Sequence, residues 1–226
     1  MRILALDTAS FTASAAVLDG ETVAAADDAR ADTHSEKLLP LIDSVLRRAG
    51  IAPAALDAIA CGKGPGSFTG LRIGLATAKG LCFALGKPLV LVSSLAALAE
   101  PARGRDVLAL LDAKKREVYA GLFAADGTPL APERVLPPEA LPEYAGGREL
   151  LVIGDGAAVY PEAAARCGAV DLTIRGTPDA RAVARLAAAR FRSGAADEVL
   201  TAAPTYIRAS EAEIASVPVA MRRERP

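Results

Sequence analysis

At 226 residues the chain can bury one large core or two modest lobes, and its 52% hydrophobic and 23% charged residues exclude a disordered polymer. Its 26 Lys and Arg nearly cancel 27 Asp and Glu, which excludes a broad positive field for steering nucleic acid. With no Trp and only 4% aromatic residues, stacking platforms for bases are scarce, so any action on RNA is expected to run through a partner.

The opening "MRILALDTAS" meets Asp7 too early for a secretory signal, and no apolar run approaches the length of a membrane span. Cys61, Cys82 and Cys167 form no C-x-x-C pair, the pattern of buried thiols in a reducing compartment. A soluble cytoplasmic protein is the expectation.

"RILALDTAS", "ASAAVLDG" and "ETVAAADD" read as three short strands joined by turns, with Asp19-Gly20 a hairpin signal. "THSEKLLPLIDSVLRRAG" has capping-box spacing at Thr33 and Glu36, helical periodicity through Leu38, Leu41, Ile42, Val45 and Leu46, and a stop at Gly50. Pro40 inside it predicts a kink or a later start. "LDAIACGKG" is a strand, Ser67 caps the next helix, "KPLVLVSS" is a strand and "SLAALAEPA" a short helix. A boundary at "ARGRD" divides the chain into 1–103 and 104–226. Beyond it, "VLALLDA" and "VYAGLF" are strands across the charged turn "KKRE", and 129–148 is a proline-rich loop. "ELLVIGDG" is a strand, "AVYPEAAARCG" and "DARAVARLAAARFRSG" are helices, and "MRRERP" is a basic tail. Both halves share a strands-then-helix plan, which hints at duplicated lobes.

The stretch "GKGPGSFTGLRIGLATAKGL", residues 62–81, has glycines and a helix start, the ingredients of a phosphate loop, without the spacing of one. Lys63 and Lys79 are each followed by Gly where a Walker loop needs Ser or Thr. Thr69 stands where the dinucleotide pattern needs Gly. Gly66, Gly70, Gly74, Ala78 and Cys82 recur every fourth residue, an advance of about 400° on a helix, so they nearly stack. Two helical glycines at a cost of about 1 kcal/mol each imply close packing, within a lobe or between chains.

Three strands with an early aspartate, then a helix and a β/α run, resemble a ribonuclease H-like lobe. Two such lobes make the actin-like ATPase and sugar-kinase superfamily, here with a reduced second lobe. "LALDTAS", "HSEKLLPLI", "GKGPGSFTGLRIGLATAKGL" and "TYIRASEAEIA", in this order, resemble the TsaB (YeaZ) family across nearly the whole chain. The resemblance implies a non-catalytic partner of the paralogue TsaD, with the ATPase TsaE, in forming threonylcarbamoyladenosine at position 37 of ANN-decoding tRNAs. tRNA would be met only through that complex, and a homodimer is possible when the chain is alone.

Relatives of the TsaD kind carry two histidine metal ligands just after the strand matching "PLVLV"; Ser94 and Leu98 fill those positions here. Serine is a poor ligand and leucine none, and the chain's one histidine, His34, cannot build a two-histidine site. The turn matching the glycine-rich phosphate turn of ATP-using relatives is "DAKKREV", without glycine; "GDG" at 154–156 is the other glycine pair near a nucleotide position. No cofactor and no catalytic residue are therefore expected. The competing readings are an ATP-binding or ATP-hydrolysing enzyme of the sugar-kinase type and a peptidase.

Asp7, Thr8 and Ser10 form the vestigial nucleotide side, Asp7 either positioning a metal-bound water or holding a turn. His34 is read as a surface or cap residue. Lys114, Lys115 and Arg116 are either a solvated turn or a contact to tRNA phosphates. The partner interface is expected on two adjacent helices: Leu38, Leu41, Ile42, Val45 and Leu46 on the first, Gly70, Leu71, Gly74, Leu75 and Ala78 on the second.

Overall fold

The computed structural model describes residues 1–30 and 34–208, with the side chains of residues 34 and 35 left out. The Thr33 cap, the His34 side chain and the basic tail lie outside the described residues.

Three strands open the chain, β1 (Arg2–Asp7), β2 (Thr12–Asp19) and β3 (Thr22–Arg30), followed by α1 (His34–Ala49), β4 (Ala58–Gly62), α2 (Phe68–Leu85), β5 (Leu89–Val92) and α3 (Ser94–Ala99). The second set is β6 (Val107–Lys114), β7 (Glu117–Phe123), β8 (Arg134–Leu136), α4 (Leu141–Ala145), β9 (Leu150–Ile153), α5 (Asp155–Val159), α6 (Pro161–Ala165), β10 (Gly168–Val170) and α7 (Ala180–Arg192). The strands form two five-stranded sheets, ordered β3-β2-β1-β4-β5 and β8-β7-β6-β9-β10. In each, two antiparallel pairings are followed by two parallel ones, so the halves repeat one topology. This is the two-lobed ribonuclease H-like plan that the order of the elements predicts. The second copy is the smaller, with three-residue outer strands and five-residue helices where the first has α1 and α2.

The cores follow from strand alternation. Leu4 and Leu6 of β1 face one side with Leu38, Ile42, Val45, Leu75 and Ala78 of α1 and α2. Ile3 and Ala5 face the other with Ala182, Val183, Ala184 and Ala187 of α7. α7 is built mainly of alanine on this face, so it can lie close to the sheet. Its first turn is fixed by Asp179, whose side chain accepts the Arg181 N–H at 2.8 Å.

Several expectations are corrected. α1 already starts at His34, ahead of Pro40, rather than later, and "AVYPEAAARCG" is two helices because Pro161 starts the second. The loop at 129–148 contains β8 and α4. Packing crosses the expected boundary at residue 103. α7 covers the first sheet, whereas Leu95 and Leu98 of α3 pack with Leu111, Tyr119 and Phe123 of the second. The two halves thus exchange helices. By length and composition α2 is apolar enough to cross a membrane, contrary to the reading of the sequence, although Gly70, Leu71, Gly74, Leu75, Ala78 and Cys82 are buried within the fold.

Candidate functional site

The turn from Asp7 to Ser10 joins β1 to β2 and is sealed. Asp7 is fully buried; one carboxylate oxygen accepts the Ala9 N–H at 2.8 Å, the other the Ser94 hydroxyl at 2.8 Å. Thr8 Oγ1 donates to the Gly70 carbonyl at 2.8 Å, and Ser10 Oγ accepts the Thr12 N–H at 3.1 Å. Burial pushes the Asp7 carboxyl up to about 6, against the lowering effect of its two donors.

The glycines of 62–74 close over this turn. A Cβ on Gly62 would stand 1.9 Å from Asp7 Oδ2, on Gly66 2.3 Å from the Ala9 oxygen, on Gly70 2.1 Å from the Thr8 oxygen, and on Gly74 2.1 Å from Thr8 Oγ1. Each distance is far inside van der Waals contact. The stripe is spent on the chain's own first turn, and Ser67 caps α2 by accepting the Gly70 N–H at 3.2 Å.

Ser94 and Leu98 have structural tasks. Ser94 Oγ also accepts the Gly64 N–H at 3.2 Å, and Leu98 is buried beneath Gly154, where a Cβ would lie 2.9 Å from its methyl carbon. Gly154 and Gly156 pack against Leu110, with a Gly154 Cβ 2.0 Å from the Leu110 oxygen, so the "GDG" glycines serve β6 rather than an open site. Among the described residues, no three His, Cys, Asp or Glu side chains are grouped to hold a metal ion. The three cysteines are buried free thiols, and burial raises Cys82 to about 11.

The equivalent turn of the second lobe is open. Lys114, Lys115 and Arg116 have φ of 60°, 53° and 61°, three successive non-glycine residues in the left-handed region. All three are exposed. Lys114 Nζ contacts Asp112 Oδ2 at 2.5 Å and lies 4.9 Å from the centre of the Phe11 ring, across the cleft between the lobes.

That cleft encloses about 840 Å³. One wall carries Phe11 and Phe68, the other Asp112, Lys114 and Asp155. Residues 205–208 complete it: the Thr205 N–H donates to the Lys63 oxygen at 2.7 Å, and Arg208 Nη1 donates to Ala113 O at 2.8 Å and Glu117 Oε2 at 2.9 Å. Arg72 lies 4.2 Å from the Phe68 ring centre and donates to the Tyr206 hydroxyl at 3.2 Å; the two rings are 4.9 Å apart. Sequence reasoning missed Phe11, Arg72, Phe68 and Tyr206 as a group. Arg72, Phe68 and Tyr206 lie within the quoted motifs, but 134 residues separate Arg72 from Tyr206.

The expected interface residues sit on the inward faces of their helices. Leu38, Leu41, Ile42, Val45 and Leu46, and Gly70, Leu71, Gly74, Leu75 and Ala78, are all buried in the isolated chain. Leu39 at 56% exposure and Phe83 at 61% face outward on the same helices, as do Ala76 and Ala84. Gly80 lies in that outward stripe, and a Cβ there would meet nothing within 4 Å.

Duplicated ribonuclease H-like lobes around a central cleft define a member of the actin-like ATPase and sugar-kinase fold. The activator of the 2-hydroxyisocaproyl-CoA dehydratase from Clostridium difficile, solved with bound ADPNP, shares this fold at a TM-score of 0.51 and 11% identity, covering 88% of this chain and 99% of its own. The family model of TsaD, tRNA N6-adenosine threonylcarbamoyltransferase, matches residues 28–216. The tRNA threonylcarbamoyladenosine biosynthesis protein TsaB of Escherichia coli is 32% identical over 222 residues, covering 92% of this chain and 95% of that protein. YeaZ from Pseudomonas aeruginosa superposes at a TM-score of 0.80 with 33% identity over 91% of this chain and 99% of its own. The chain belongs to the TsaB (YeaZ) family, paralogous to TsaD.

Proposed function

We propose that this chain is a cytoplasmic, non-catalytic subunit in threonylcarbamoyladenosine formation on tRNA, acting by docking onto TsaD, with TsaE joining the larger complex. The observation that carries this reading is the sealed Asp7 turn. Both carboxylate oxygens are satisfied in the core, and four glycines leave no volume for a phosphate or metal beside them. A carboxylate so buried and paired belongs to the packing of the turn and offers no open face to a substrate.

The docking face is carried by α1 and α2, which lie together on one side of the first sheet. Its residues are the outward ones. Gly80 costs the helix about 1 kcal/mol relative to alanine with no internal contact to justify it. Between Ala76 and Ala84, and beside exposed Phe83, it lets a partner helix approach closely. The paralogue offers the same fold and hence an equivalent helix pair, which suits a pseudo-twofold contact; a homodimer is the corresponding state of the chain alone.

Gly80→Leu and Phe83→Arg are expected to leave the chain folded, by circular dichroism, and to abolish co-purification with TsaD. Depletion is expected to lower threonylcarbamoyladenosine in digested tRNA, measured by mass spectrometry. Retention of TsaD by both variants would overturn the docking face; a normal modification level in a depleted strain lacking a second copy would overturn the function.

A further inference from the structure

The geometry points to single-stranded RNA as the ligand of the interlobe cleft, bound by base stacking on Phe11 and the Phe68–Tyr206 pair and by phosphate contact at the Lys114–Arg116 turn. The inference rests on the proposed role in tRNA modification and gives the chain a direct contact with RNA, contrary to the expectation from its overall charge.

Composition makes aromatic residues scarce, yet four of them, Phe11, Phe68, Tyr119 and Tyr206, line this one cleft. Phe11 is 62% exposed, so part of its ring is open to the cleft. Arg72 stacks on Phe68 and its guanidinium meets no carboxylate among the described residues, so it offers both a planar face and a charge. Opposite them, the turn holds three cations in a backbone conformation that L-residues rarely adopt. Strain of this kind persists where the surrounding structure imposes it, and it clusters at binding sites. Stacking faces beside a basic rim are the arrangement that holds unpaired strands.

The same wall disfavours a free nucleoside triphosphate. Asp112 and Asp155 stand together there, the Asp112 N–H donating to Asp155 Oδ1 at 2.9 Å, and their carboxylates would repel a polyphosphate. Glu117 is matched by Arg208, so the negative charge left on this wall is the Asp112–Asp155 pair, only partly offset by Lys114. A strand brings one phosphate per base and can keep it on the rim. Unstacked loop bases present the faces that such a site takes.

The test is fluorescence anisotropy of the full chain with a short labelled unstructured oligoribonucleotide, its duplex form, and magnesium ATP as competitor. The unpaired strand is expected to bind at least about tenfold more tightly than the duplex. Phe11→Ala is expected to weaken it about tenfold. Arg116→Asn, which keeps a residue tolerant of positive φ, is expected to lower the slope of log affinity against log salt by about 0.7. Equal binding of the duplex, unchanged affinity in both variants, no binding at all, or full displacement by equimolar ATP would each overturn the inference. Phe11→Ala is expected to retain TsaD in a pull-down, so loss of RNA binding with TsaD retained confines the failure to the cleft. Loss of TsaD by the wild-type chain would instead strike the proposed function.

Discussion

The two lobes begin with the same hairpin, and the two turns have opposite fates. In the first, Asp7 to Ser10, every polar side chain is bonded inward and glycines from the next strand and helix press against it. In the second, three exposed cations occupy strained backbone beside a cleft. Topology alone would assign both turns one role. What separates them is the small volume of the residues packed beneath the first and the charge carried by the second, so one loop is core and the other surface.

The largest effect should come from filling the first turn. Gly74→Leu places carbon 2.1 Å from Thr8 Oγ1, whose hydroxyl is already committed to Gly70. We expect a loss of about 3 kcal/mol or more in urea unfolding, or failure to fold. If Gly74→Leu keeps wild-type stability, the sealed turn is not sealed.

Asp7→Asn tests the same turn through pH. With the folded carboxyl at about 6 and the ordinary value at 3.8, the unfolded chain releases its proton first as pH rises. Asp7 therefore costs stability progressively between about pH 4 and 6, and the full cost, about 3 kcal/mol, applies above that range. Asn can accept from Ala9 and donate to Ser94. The variant should exceed wild type by up to about 3 kcal/mol at pH 7 and match it near pH 4, read from paired urea titrations. A variant less stable at pH 7 would show that the charge itself is needed.

A smaller effect of opposite origin is expected at the open turn. Arg116→Gly relieves a left-handed residue at φ 61° but gains chain entropy when unfolded. A net stabilisation of about 0.5 to 1 kcal/mol should appear as a raised thermal midpoint. Destabilisation would mean that the arginine side chain, rather than the ligand it awaits, holds the turn.

Sequence periodicity by itself determined most of the fold. Alternation in β1 and the helical spacing of Leu38, Leu41, Ile42, Val45 and Leu46 depend on local geometry, so they were legible without the structure. So was the need of Gly70 and Gly74 for a close neighbour, because glycine in a helix has a cost that something must offset. Which neighbour was not legible: Thr8 lies more than sixty residues away, and only the parallel pairing of β1 with β4 brings it beneath α2. An apolar stripe looks the same in sequence whether its counterpart is a sheet or a partner chain, and only burial shows that Leu38, Ile42, Val45, Leu75 and Ala78 face the sheet. The exchange of α3 and α7 between lobes, and the meeting of Phe11, Phe68, Tyr206 and Arg72 in one cleft, arise from long-range contacts that no local propensity encodes. Burial and strand pairing, both properties of the whole chain, decided those.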